Sequence, residues 1–396
     1  MTLKHTDLVH AGRQDLRQQG VHALPVDLST TYPLPALGCG TASLDALVAG
    51  QQQADNPVYA RLFNPTVDRW ERSLAQAEGA EAAVAFSSGM AALTACILAM
   101  REQGSHIVAV RPVYGTSDHL LDSGLLGNEV SWVKPHEVAD AIRPDTALVM
   151  IETPANPTLK LVDIQAVVRQ AGQVPVLVDS TFATPVLQQP LHHGASLVLH
   201  SATKFLGGHG DVIAGVIACS ESFAQRLRQV RIATGALLHP WAAYLLHRSM
   251  PTLKLRVERA QSGAITLARR LAQDSRIAAV HYPGMQTGEQ LGLLERQMHG
   301  PGSVLAFEVK GGSEVAESVM ANVALMTPAV SLGSVDTLIQ HPAALTHRVM
   351  NENDRQQCGI GPGLLRLSVG LEDAEDLWND LNQALNRSLH CEQAAA

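Results

Sequence analysis

From about residue 61 onward, short and uniformly apolar runs alternate with longer stretches whose apolar residues recur at helical spacing. The runs at 82–86, 106–110, 147–151, 174–179 and 197–200 predict strands. They lack polar alternation, as strands do when both faces of a sheet are covered. The stretches 66–78, 90–101, 118–127 and 164–171 predict helices between them. This order predicts an α/β domain over residues 61–250 with a mostly parallel sheet. Past Pro251 the pattern changes to a long amphipathic helix at 252–274, strands at 304–309 and 364–369, and a closing helix at 376–388. Residues 251–396 therefore read as a smaller α+β domain. Residues 1–60 mix polar side chains with turn formers such as Leu34-Pro35 and Gly38-Cys39-Gly40. They predict an extended arm with little core of its own.

Composition narrows the function classes. A chain of 396 residues at 46% hydrophobic content can bury a large core, which excludes a disordered protein. The net charge of −8 disfavours nucleic acid or an anionic membrane as partner. Only 4% of residues are aromatic, too few for a surface of stacking platforms. The five cysteines, Cys39, Cys96, Cys219, Cys358 and Cys391, form no CxxC pair. That argues against a disulfide framework or a thiolate metal site and fits a reducing cytoplasm. Residues 1–20 hold no apolar segment of the signal-peptide kind. Residues 82–100 carry no charge, but a buried strand, polar turn and buried helix explain them better than a membrane span.

In an open parallel sheet, ligands gather where strands end. Ser88-Gly89-Met90 follows the first predicted strand and opens a helix. Such a turn suits either a plain N-cap or an anion held by free N–H groups. Asp179 closes another strand, as a turn residue or as a buried acid awaiting a cation. Lys204 follows a third, flanked by the hydroxyls of Ser201 and Thr203 and by a glycine-rich turn. A single lysine is by default a solvated one, yet partial desolvation makes its amine a nucleophile. Together, a phosphate cradle, a carboxylate and an amine match the needs of pyridoxal 5′-phosphate (PLP). The amine would bond to the aldehyde, and the carboxylate would keep the ring nitrogen protonated. No GxGxxG follows a first strand, and no Walker A, HExxH or GxSxG motif is present. No metal is expected.

The ordered motifs carry a resemblance along nearly the whole chain. They are Tyr59-Ala60-Arg61, Asn64-Pro65-Thr66, Ser88-Gly89-Met90, Tyr114-Gly115 and Glu152-Thr153-Pro154-Ala155-Asn156-Pro157. Val178-Asp179-Ser180-Thr181-Phe182, Ser201-Ala202-Thr203-Lys204, Val330-Ser331-Leu332-Gly333 and Arg366-Leu367-Ser368-Val369-Gly370 follow. The chain resembles the Cys/Met-metabolism PLP enzymes of fold type I, the group of cystathionine γ-synthase, the cystathionine lyases and methionine γ-lyase, which implies that the mostly parallel sheet of the large domain is of the seven-stranded type. The resemblance implies that Lys204 is the cofactor's covalent lysine and a proton shuttle. Asp179 would hold the ring nitrogen. Ser88, Gly89, Met90, Ser201 and Thr203 would hold the phosphate. Tyr114 would stack on the ring and serve as acid or base, and Asn156 would contact the cofactor's ring oxygen. Arg366 with Ser331 nearby would bind the substrate carboxylate. Tyr59 and Arg61 would reach the phosphate in the neighbouring subunit, which implies a homodimer at least and a dimer of dimers usually.

Within the family, Pro328–Gly333 with His341-Pro342-Ala343 and Thr346-His347 is most similar to the methionine γ-lyases. Val330 stands where cystathionine-acting relatives commonly carry Glu, which favours an apolar substrate side chain. Thr116 and Arg231-Ile232 depart from the pattern of those lyases, where Cys and Lys-Asp are usual. Cystathionine, homocysteine and cysteine therefore stay open as substrates. The expected activity is elimination of a thiol from a sulfur amino acid, giving a 2-oxo acid and ammonia. The alternatives are γ-replacement on an O-acylhomoserine and, more distantly, a non-catalytic PLP-binding regulator.

Overall fold

The computed structural model describes residues 3–348, 350 and 352–395, with the side chains of 389–395, Cys391 among them, outside the described part. The larger sheet has seven strands: β1 (Ala82–Phe86), β2 (His106–Val110), β3 (Glu129–Val133), β4 (Thr146–Glu152), β5 (Val176–Asp179), β6 (Leu197–His200) and β7 (Gly215–Cys219). Their spatial order is β1-β7-β6-β5-β4-β2-β3. Strand β7 runs antiparallel to both its neighbours, and the other pairings are parallel. The expected mostly parallel sheet is thus present. A second sheet joins β8 (Ile277–His281), β9 (Val304–Val309), β10 (Thr327–Pro328), β11 (Leu338–Gln340) and β12 (Leu364–Ser368) in the order β10-β11-β12-β9-β8.

The uniform strands are covered on both faces, which is why they show no alternation. Side chains such as Ala83, Ala85 and Val198 pack with Trp70 and Leu74 of the helix Pro65–Glu78. Val84, Phe86 and Leu177 face the other way and pack with Leu93 and Ile97 of the helix Gly89–Ala99. Pro65–Glu78 has clear start and stop signals. Asn64 accepts the N–H groups of Thr66 and Val67, and Gly79 closes the helix at φ +68°.

Three expectations are corrected. The helix placed at 118–127 spans Gly115–Asp122, and Gly124 and Gly127 then turn the chain at positive φ. Strand β3 is missed by pattern because it is a partly exposed edge, and β7 because it continues a glycine-rich run. The N-terminal segment has more core than its polarity predicts: Leu3, Leu8 and Leu16 are buried, and the helix Leu37–Val48 sets Leu47 against Leu62 and Ile232. Cys39, Cys96, Cys219 and Cys358 are free thiols. Among the described residues no helix is long and apolar enough to cross a membrane, and no cluster suits a metal ion.

Candidate active site

Strands β4 and β5 end side by side, with Glu152 paired in register with Asp179. At this edge one cavity gathers Ser88, Gly89, Met90, Tyr114, Asn156, Asp179, Ser201, Thr203, Lys204 and Arg366. Ser331 adjoins it through Lys204. Tyr59 and Arg61 lie elsewhere, in a recess with Leu28 and His239. Arg61 sits 5.7 Å from the centre of the Tyr59 ring and donates to the Ile232 carbonyl. Thr116 is exposed and does not line the cavity, whereas Val330 does.

The Ser88 turn is both of the things its sequence allows. Its hydroxyl caps the helix by accepting the Ala91 N–H at 3.0 Å. The Gly89 and Met90 N–H groups, at the open end of that helix, have no intrahelical acceptor. A Cβ on Gly89 would come within 3.0 Å of the Ser201 Cβ, so only glycine lets these two phosphate-binding candidates meet. Thr203 also reaches the cavity, but its hydroxyl donates to the Ala214 carbonyl and accepts the Ala214 N–H. Its O–H is therefore committed to the fold, which leaves Ser201 the better placed hydroxyl.

Asp179 is buried, and burial pushes its carboxyl above the ordinary carboxylate range. One oxygen accepts both the N–H and the O–H of Thr181. The Thr181 hydroxyl in turn accepts the Ser201 N–H at 2.9 Å, tying the acid to the hydroxyl turn. Such an acid gains from a cation placed beside it.

The Lys204 amine donates to the Ser331 hydroxyl at 2.9 Å. Burial first, and the Arg366 guanidinium second, pull its pKa from 10.5 down to about 8. Since only a neutral amine attacks an aldehyde, the rate at which apoprotein takes up PLP is expected to rise with pH to a plateau above about 8. Stopped-flow absorbance between pH 6 and 10 checks this; a rate still climbing steeply at pH 10 would mean an ordinary lysine.

Arg366 is 2% exposed, and the acceptors it meets are neutral: Asn156 Oδ1 and the Ser331 carbonyl, each at 2.9 Å. Its Nε faces no acceptor among the described residues. A buried guanidinium held by neutral groups has its charge to offer to an incoming carboxylate. Beside it, Gly115 packs so tightly on the segment before His347 that a Cβ would lie 2.3 Å from the Thr346 carbonyl oxygen. Gly115→Ala is expected to cost about 1–3 kcal/mol of stability and to slow turnover by displacing Tyr114. Urea midpoints and steady-state rates measure the two effects.

Motif reading gave no role to Glu152, Thr181 or Phe182, all of which line the cavity. Glu152 carried the same signal as Asp179, an acid closing an apolar strand.

A ligand bearing a phosphate, a basic ring nitrogen and an aldehyde would meet a partner at each of these points, and PLP has all three. The fold and cavity together define a PLP enzyme of fold type I. Residues 5–386 match the family described as Cys/Met metabolism PLP-dependent enzyme, and the chain belongs to it. It is 57% identical to an L-methionine γ-lyase of Streptomyces avermitilis, over 99% of this chain and 91% of that protein. With an L-methionine γ-lyase of Brevibacterium sandarakinum it shares 54% identity over 97% of each. Among solved structures, cystathionine γ-lyase from Lactobacillus plantarum in complex with L-serine superposes with a TM-score of 0.89 at 31% identity, covering 98% of this chain and 99% of that one. Cystathionine γ-synthase from Xanthomonas oryzae pv. oryzae in complex with aminoacrylate and cysteine gives 0.89 at 33% identity, over 98% of each.

Proposed function

We propose that this protein is a carbon–sulfur lyase that eliminates a thiol from methionine, leaving a 2-oxo acid and ammonia. The observation that carries the reading is the cavity's lining, which joins the Arg366 guanidinium with the apolar side chains of Met90, Ile213, Val330 and Leu332. Of the carboxylates lining it, Glu152 accepts a backbone N–H on each oxygen and Asp179 is taken by the ring nitrogen of the cofactor. No acid is therefore left for the distal amine of cystathionine, while a thioether methyl suits those apolar side chains. The names of the similar lyases support the same choice.

When bound, PLP supplies an electron sink conjugated to the substrate α-carbon. Arg366 holds the substrate carboxylate and so fixes which α-bond faces Lys204. The neutral Lys204 amine removes the α-proton, and its long side chain can move protons at the neighbouring carbons. Asp179 keeps a positive charge on the ring nitrogen. The Tyr114 hydroxyl protonates the departing sulfur. Ser88, Gly89, Met90 and Ser201 hold the phosphate, with Thr203 as a wall of the turn, and Asn156 bridges Arg366 and the ring oxygen. Water completes the reaction by releasing the 2-oxo acid and ammonia.

The working unit is a homodimer or a dimer of dimers, in which Tyr59 and Arg61 serve the neighbouring subunit's phosphate. The half-exposed Tyr59 ring supports this. Residues 1–60 are the arm that carries Tyr59, 61–250 the cofactor domain, which opens on Arg61, and 251–396 the closing domain. Free thiols support a cytoplasmic setting. The test is a substrate panel of methionine, cystathionine, homocysteine, cysteine and O-acylhomoserine, reading thiol and 2-oxo acid. Methionine should be turned over with the highest kcat/KM. Preferred consumption of O-acylhomoserine with added thiol would replace this reading by γ-replacement.

A further inference from the structure

Two turns contribute the residues that flank the reacting groups, Tyr114 after β2 and Asn156 after β4. They meet on one side chain. Glu152 Oε2 accepts the Tyr114 N–H at 2.7 Å, and Oε1 accepts the Asn156 N–H at 2.8 Å. Each carboxylate oxygen thus holds a different turn.

The position is an expensive one for an acid. Glu152 closes β4, all seven residues of which are buried, and lies in register with Asp179. Burial, and then the Asp179 charge, push its carboxyl well above the ordinary range, while the two N–H groups and the Arg366 guanidinium oppose the shift. An apolar residue would suit the strand better. What an apolar residue cannot do is accept two N–H groups in opposite directions. A carboxyl group can, because each of its two oxygens carries acceptor lone pairs.

We infer that Glu152 is a positioning residue, which sets the spacing between Tyr114 and Asn156 across the cavity and, through Asn156, the seat of Arg366. The chain of contact is continuous: Glu152 holds the Asn156 backbone, and the Asn156 side-chain oxygen accepts from Arg366 at 2.9 Å. This role rests on the reading of the cavity as the PLP and substrate site. It makes the carboxylate a spacer between the group that stacks on the ring and the group that orients the substrate.

Glu152→Gln separates this role from bulk stability. Glutamine keeps one acceptor oxygen but turns an NH2 toward the other N–H, so one turn loses its hold while size is preserved. In the holoenzyme, kcat on methionine is expected to fall about 10²-fold, the cost of a small misplacement of reacting groups, with KM far less affected. The visible circular dichroism of fully loaded enzyme should weaken, because that band reports how the protein holds the ring. The thermal midpoint of the apoprotein should stay near wild type. Glu152→Asp keeps the carboxyl group but is too short to span both N–H groups, so it should show the same losses, and it carries the test if the glutamine variant does not fold. Wild-type kcat and dichroism in the folded variant would overturn the role. So would a lowered apoprotein midpoint with wild-type kcat per loaded subunit, since that is a structural effect only. Lys204→Ala, measured alongside, keeps the two claims apart. If it loses the visible band while Glu152 variants behave as wild type, only the positioning role fails; if it keeps the band, the site reading itself fails.

Discussion

Lys204→Ala is expected to lose about 10³-fold or more in kcat on methionine, and the visible absorbance of the lysine-bound cofactor with it. The argument is one of position. The Lys204 amine stands in the cavity that also holds Arg366 and Asp179, and burial with Arg366 brings its pKa to about 8. Among the described residues no other lysine lines that cavity. The variant should still fold, because among the described residues the amine makes one hydrogen bond, to the Ser331 hydroxyl, worth about 1 kcal/mol net. Its stability should respond to pH in a defined way. In the wild-type apoprotein the folded pKa lies near 8, below the 10.5 of an unfolded lysine. Between those values the unfolded chain binds more protons, so wild-type stability rises as pH climbs from about 8 toward 10.5. The penalty is fully present below 8 and gone above 10.5. Lys204→Ala should lack that rise. Denaturant titrations of both apoproteins at pH 7 and pH 10 measure the difference. A variant that kept steady-state turnover would end the assignment.

Arg366→Lys is expected to raise KM for methionine by roughly 10- to 100-fold, with a smaller loss in kcat. Lysine keeps the charge but not the planar fork. Arg366 uses one terminal nitrogen on Asn156 Oδ1 and the other on the Ser331 carbonyl, and an ammonium cannot occupy both places. One hydrogen bond to a charged group is worth about 1.5–3 kcal/mol, which matches that range of KM. The loss should shrink for a substrate analogue without an α-carboxylate, since that analogue never used the fork. An unchanged KM would remove Arg366 from substrate binding.

The sheet was legible because its strands are buried on both faces. Ala82–Phe86, His106–Val110 and Leu197–His200 show as unbroken apolar runs with the same limits that the backbone has. Edge strand β3 mixes exposed and half-buried positions, so its pattern carries little signal. The site was legible where chemistry sits next to a strand end, as at Asp179 and Lys204. It was not legible where a role depends on a distant partner. The Thr203 hydroxyl looks free in sequence, and its commitment to Ala214 exists only once β7 returns beside β6. Glu152 is the converse case. Its two acceptors serve one residue four positions on and another 38 positions back, and no local pattern links them.

The turn beneath Lys204 bears on stereochemistry. It lies between β6 and the antiparallel β7, with Thr203 bonded to Ala214 and the Phe205 carbonyl accepting from Arg256 at 2.8 Å. Gly333, in the connection between β10 and β11, presses on it, and a Cβ there would lie 2.7 Å from the Phe205 nitrogen. A backbone pinned from three sides cannot carry the amine around the substrate. With Lys204 as the proposed proton shuttle, each proton it takes or gives is then expected to pass over one side of the bound amino acid. In heavy water, the hydrogen isotope it delivers would enter with a single handedness, written into the product by the immobility of a turn.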